Sequence, residues 1–120
     1  MDIKELKIGT FSEAKKEIEA VKASPPSVNL MAEKSIFKTI KINDMSTTAA
    51  NILKQEMLSR GGEAAVSERT VNCKDKTTDV VLMGTLRQFR EVSKKMRGQP
   101  LGLPDLGKWI EQMVSEEKKK

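Results

Sequence analysis

TTAANILKQEMLSRGGEAAV, Thr47 to Val66, holds a helix, its stop signal and the entry into a strand. Ala49, Ala50, Leu53 and Met57 fall within about a third of a helix circumference, with Ile52 flanking them. Asn51, Gln55 and Ser59 lie on the opposite side. Ser46, Thr47 and Thr48 are three candidate N-caps, since a hydroxyl there can accept an otherwise unpaired first-turn N–H. Gly61 and Gly62 follow Arg60 directly, and glycine is the usual left-handed residue that ends a helix. A double glycine can also cradle a phosphate, but such turns open helices, whereas this pair closes one. Ala64, Ala65 and Val66 then suit a short strand packed close beneath the helix.

Upstream, Ser35 to Asn43 is rich in β-branched residues, and Thr39-Ile40-Lys41-Ile42 alternates polar and apolar, which predicts a half-buried strand. Strand, helix and the Glu63–Ser67 strand together read as a βαβ unit. Downstream, Glu68 to Thr78 is a charged connector. Asp79-Val80-Val81-Leu82-Met83 is an unbroken apolar run, as expected of a strand covered on both faces. The expected architecture is α/β: a small, mainly parallel sheet of about three strands with helices packed on it.

The flanking helices carry their own signals. Thr10 with Glu13 makes a capping-box pattern before an amphipathic helix over 11–22, ended by Pro25-Pro26. Val28 to Lys34 reads as a helical turn, and Ile3, Leu6 and Ile8 as a brief strand or as surface. Thr85 with Gln88 repeats the capping box ahead of a helix with Leu86, Phe89, Val92 and Met96 on one side. A last helix from Asp105 places Leu106, Trp109, Ile110 and Met113 inward. Residues 1–114 form one domain, and 115–120 a frayed, solvated tail in which Glu116 and Glu117 have nothing to hold them.

Composition narrows the function classes. The 120 residues carry 38% hydrophobic and 32% charged residues, which fits a soluble globular protein. No apolar run approaches the roughly 18 residues of a membrane span, and the N-terminus is too charged for a secretory signal. Cys73 is the single cysteine, so no internal disulfide can form, and a cytoplasmic location is expected. Histidine is absent, which removes the commonest general base and the commonest metal ligand. No catalytic residues, metal site or cofactor site are expected.

Four candidate features remain. Cys73 has Lys74 and Lys76 nearby, but without a histidine base it reads as a plain surface or structural cysteine. Gly84 and Thr85, between a strand and a helix N-terminus, form the candidate anion-binding site. Arg87, Arg90, Lys94 and Arg97 make a basic stripe that could track phosphates, and the net charge of +5 permits this. With no Tyr, three Phe and one Trp there is no platform for stacking bases, so the stripe reads as a wet helix face. On that reading Arg90→Ala is nearly neutral for stability. Trp109, Ile110 and Met113 on one side of the last helix form the candidate partner interface, set against closure of the core by Trp109.

The residues quoted above carry a resemblance. Ala49 through Val66 resembles the N-terminal accessory region that precedes the barrel in some bacterial and archaeal dihydropteroate synthases. Cys73-Lys74, Thr78 through Phe89 and Gln99 through Leu103 are similar to the same region, so the resemblance spans about residues 31–103. It implies a stand-alone accessory domain, not an enzyme by itself. The family's catalytic barrel normally takes about 250 residues, and its Asn-Val-Thr-Pro-Asp-Ser-Phe loop and Arg-x-His element are not in this chain. The implied role is an interaction module that docks with a pterin-binding barrel protein in folate or pterin-linked metabolism. The alternative is a small-molecule or anion-binding regulatory domain using Gly84-Thr85.

Overall fold

The computed structural model describes residues 1–120. Helix α1 spans Phe11–Ala20, and a 3-10 turn at Pro25–Ser27 leads into α2, Val28–Ser35. Strand β1 (Phe37–Ser46), helix α3 (Thr47–Ser59) and strand β2 (Glu63–Ala65) follow. Strand β3 (Thr77–Thr85) then precedes α4 (Leu86–Met96) and α5 (Leu103–Lys118). Residues 28–34 thus form a full helix ending at Ser35 rather than a single turn, and residues 1–9 have no regular structure.

The central stretch is built by its local chemistry. Ser46 Oγ accepts the Ala49 N–H at 3.2 Å, so Ser46 is the cap among the three hydroxyl candidates. At the other end Gly61 takes a φ of 85°. The Gly61 N–H donates to Leu58 O at 3.0 Å and the Gly62 N–H to Met57 O at 2.9 Å, which closes the helix as a Schellman turn.

The sheet differs from the expected one. Its order is β1-β3-β2, and β3 pairs antiparallel with both neighbours. The helix does join β1 to β2, and those two strands run the same way, because each opposes β3. Yet β3 has entered between them, so no parallel pair is hydrogen-bonded. The sheet is antiparallel, not mainly parallel.

The apolar run in β3 was also misleading about cover. Thr78, Val80, Leu82 and Gly84 are buried, whereas Val81, Met83 and Thr85 are only half-buried. One face of the sheet meets helices, and the other is open. A central strand in an antiparallel sheet can be apolar throughout while only alternate residues reach the core. The covered face stacks Ile40 against Leu82 and Ile42 against Val80 by register, with Ala64 on the other side of Leu82. Leu53, Met57, Leu86, Phe89, Val92, Met96 and Ile110 complete a core with no measurable exposure.

α4 and α5 approach closely at Gly107. A Cβ there would lie 2.9 Å from Ser93 O and 3.1 Å from Met96 Cβ. Gly107→Ala should therefore destabilise by about 1–3 kcal/mol through overpacking, although alanine is the better helix former by roughly 1 kcal/mol. Chemical denaturation of the variant measures this; a gain in stability would mean that the two helices can separate at little cost.

The C-terminal tail does not fray at Ser115. α5 continues to Lys118 because Glu117 and Lys118 both find partners across the fold. Lys38 Nζ sits 3.0 Å from Glu117 Oε2, and Lys118 Nζ donates to Glu33 Oε2 at 3.2 Å. Burial pushes the Glu117 carboxyl up, but hydrogen bonds and charge from Lys38 and Lys120 outweigh it, leaving Glu117 below the usual carboxylate range.

Candidate functional site

Gly84 and Thr85 lie where expected, at the junction of β3 and α4, but the fold itself uses their hydrogen-bonding groups. The Thr85 N–H donates to Gln88 Oε1 at 2.8 Å, and the Gln88 N–H to Thr85 Oγ1 at 3.2 Å. The Leu86 N–H donates to Ile36 O at 3.0 Å. The amide of Gln88 also donates to Arg60 O at 2.9 Å, which ties the start of α4 to the end of α3. A capping box that doubles as an inter-helix link leaves little for an incoming anion.

The basic stripe is largely consumed by ion pairs. Arg87 Nε pairs with Glu91 at 3.0 Å along its own helix. Arg97 pairs with Glu111 of α5. Arg90 makes a two-pronged contact with Glu33 of α2, its Nε at 2.7 Å from Oε2 and its Nη2 at 3.1 Å from Oε1. Only Lys94 of the four is without a carboxylate partner.

The expectation that Arg90 is a wet surface residue is corrected by Glu33, whose side chain is 1% exposed. A carboxylate so deeply buried needs compensation, and Arg90 and Lys118 supply it from two different helices. Burial pushes the Glu33 carboxyl up; the hydrogen bonds from Arg90 and Lys118, with their charges, more than reverse this and hold it below the usual range. The same contact raises the Arg90 guanidinium above its ordinary value. Nothing in the local sequence VNLMAEKS marks Glu33 as buried, because its partners lie 57 and 85 residues away.

Trp109, Ile110 and Met113 separate. Ile110 is fully buried in the core, so it leaves the candidate interface. Trp109 is 54% exposed, contrary to its inward placement from spacing and in keeping with the exposure that its candidate interface role requires. With the half-buried Met113, and with Gln112 and Glu116, it borders a shallow groove of about 250 Å³. Trp109 therefore does not close the core.

A second apolar surface was not anticipated. On the open face of the sheet, Phe37 is 62% exposed and stands opposite Thr85, while Met83 and Val81 stand opposite Thr39 and Lys41. The alternation of β1 contained this signal, since Phe37 shares a face with Thr39 and Lys41 and not with Ile40.

Cys73 is an exposed free thiol at a turn, with a φ of 55°. The Asn51 side-chain amide donates to its Sγ at 3.8 Å. No three His, Cys, Asp or Glu side chains converge to form a metal-binding group. No helix is long and apolar enough to cross a membrane.

Comparison with known proteins places this chain beside folate enzymes. It is 33% identical over 103 residues to a probable bifunctional folylpolyglutamate synthase/dihydropteroate synthase of Halobacterium salinarum. That alignment takes in 86% of the chain but 12% of the relative. A bifunctional dihydropteroate synthase/dihydropteroate reductase of Helicobacter pylori is 32% identical over 76 residues, which are 63% of the chain and 20% of that protein. No family model and no solved structure matches. The chain is thus related, through most of its length, to a small part of enzymes whose names share dihydropteroate synthase.

Proposed function

We propose that these 120 residues are a non-catalytic accessory module that docks with a pterin-binding barrel protein in folate or pterin-linked metabolism. The observation that carries this reading is the asymmetry of coverage: nearly all of this domain aligns with 12% of a much larger folate enzyme. A segment of 103 aligned residues is too short for a β/α barrel, which takes about 250 residues. In this chain the polar groups at the strand–helix junction form a cap, and Arg87, Arg90 and Arg97 of the basic stripe each pair with a carboxylate. The docking surface is the outward side of α5, where Trp109 and Met113 border a groove. Exposed tryptophan is enriched at interfaces because it supplies a large contact area at low entropic cost.

Two measurements test the proposal. The purified chain, given the pterin pyrophosphate and aminobenzoate, should produce no dihydropteroate above a mock preparation. Immobilised chain should retain a dihydropteroate synthase barrel protein, and Trp109→Ala should weaken retention roughly tenfold or more, the scale of an interface hot spot, without shifting the melting curve. Retention lost with Phe37→Ala but not Trp109→Ala would move the contact to the open sheet face. Turnover by the chain alone, or no retention at all, would refute the reading.

A further inference from the structure

We infer that the cleft between α4 and α5 binds a small polyanion carrying two or more phosphate or carboxylate groups. The cleft has a volume of about 610 Å³, within the roughly 300–1,000 Å³ range of small-molecule sites. Its walls are Arg90 and Lys94 of α4 with Arg97 at that helix's C-cap, and Lys118 of α5 with Lys119 at its C-cap, with Val114 as the one apolar lining residue. Against these five cations stands one lining carboxylate, Glu111, with Glu33 lying beneath Arg90 and Lys118.

The distribution of charge sets the ligand's shape. Arg97 meets Glu111 at one end of the cleft, while Arg90 and Lys118 share Glu33 at the other. Arg90 and Arg97 are two helical turns apart, or about 10 Å along the axis. One small monovalent anion cannot span that distance, whereas a ligand with separated anionic groups can. Lys94, between them on the helix surface, has no carboxylate partner and is the cation with most to gain from a ligand. Lys119 has only an exposed contact with Glu116 at 3.7 Å. Glu111, on this view, occupies Arg97 until a ligand group replaces it, as an internal anion that an external one displaces. The walls carry no aromatic side chain on which a nucleobase could stack, and the site is concave, so the occupant is small rather than a nucleic acid strand. This inference does not depend on the docking surface of α5, which lies at Trp109.

Phosphate and carboxylate ligands share the same recognition chemistry, so the test has two arms. The 120-residue chain is titrated with inorganic tripolyphosphate in one and with a tri-glutamate peptide in the other, by calorimetry at low salt. Amide shifts are followed at Ser93, Val114 and Ser115. Saturable one-to-one binding that moves those amides is expected in at least one arm, and the arm that responds identifies the source of the anion. Replacing both exposed lysines, Lys94→Ala with Lys119→Ala, should weaken binding about tenfold, the scale of a lost charge-assisted hydrogen bond. Glu111→Gln should tighten it, because it frees Arg97. These side chains lie outside the core, so melting curves of the variants should match the parent. Absence of saturable binding in both arms would overturn the assignment. So would an affinity indifferent to the paired lysine replacement.

Discussion

Leu53→Ala and Leu82→Ala should each destabilise the fold by about 2–5 kcal/mol, the cost of removing a large buried side chain and leaving part of its volume empty. Both residues have no measurable exposure, and they come from opposite layers of the core. Leu53 is on the sheet-facing side of α3, and Leu82 sits in the central strand with Ile40 and Ala64 on either side. The central position makes relaxation difficult at Leu82, because β3 is pinned by hydrogen bonds to both neighbours and cannot move into the gap. Urea unfolding followed by circular dichroism checks both values. Losses under about 1 kcal/mol would mean that the helix layer is not packed on the sheet as described.

Arg90→Ala is the second large effect, and the structure reverses the near-neutral result that the sequence suggested. Removing one partner of a buried ion pair leaves an uncompensated charge and typically costs about 3–5 kcal/mol. Lys118 remains on Glu33, which places the expected loss toward the lower end. Arg87→Ala is the matched control. Its pair with Glu91 is a half-exposed contact along one helix, worth about half a kcal/mol or less. Acid should expose the same interaction. Glu33 is held below its unfolded value, so its stabilisation is complete above the ordinary carboxylate pKa of about 4.3 and is lost as pH falls through the lower folded value. Glu33→Gln should lower stability at neutral pH and flatten this acid limb. Equal melting of Arg90→Ala and Arg87→Ala at neutral pH would contradict the role given to Glu33.

What the sequence made legible follows from the range of the interactions. Helix α3 with its hydroxyl-rich start and its glycine stop, the capping box at Thr85 and Gln88, and the apolar side of α4 are written within a few residues. They could therefore be read from spacing alone. The partner of a strand is not local. Val80 to Met83 reads the same whether its neighbours run parallel or antiparallel, and only the insertion of β3 between β1 and β2 decides the matter. The connector over 66–76, which returns the chain to that middle position, carries no signal of where it leads.

Sites show the same division. The strand–helix junction at Gly84 and Thr85 was legible, but the demand that Gln88 and Ile36 place on its hydrogen-bonding groups depends on contacts across the fold. Spacing put Trp109 and Ile110 on one side of α5, yet adjacent helical positions differ by about 100°. The close approach at Gly107 turns Ile110 toward α4 and leaves Trp109 outside. Arg90, Glu33 and Lys118 illustrate the limit most clearly, since three helices distant in sequence meet at one buried carboxylate. Spacing put Arg90 on a wet helix face and Lys118 in a solvated tail, and gave no sign of Glu33.

Trp109 is the only tryptophan in the chain, which gives the docking proposal a direct reporter. Biosynthetic incorporation of 5-fluorotryptophan yields a protein with one fluorine resonance, placed at the outward side of α5. Unlabelled dihydropteroate synthase barrel protein is then titrated into it and the fluorine spectrum recorded. The account predicts that the resonance broadens and shifts to a saturating limit as the half-exposed indole becomes buried, and that an unrelated barrel protein leaves it unmoved. A fluorine resonance unchanged at excess barrel protein would contradict docking through Trp109.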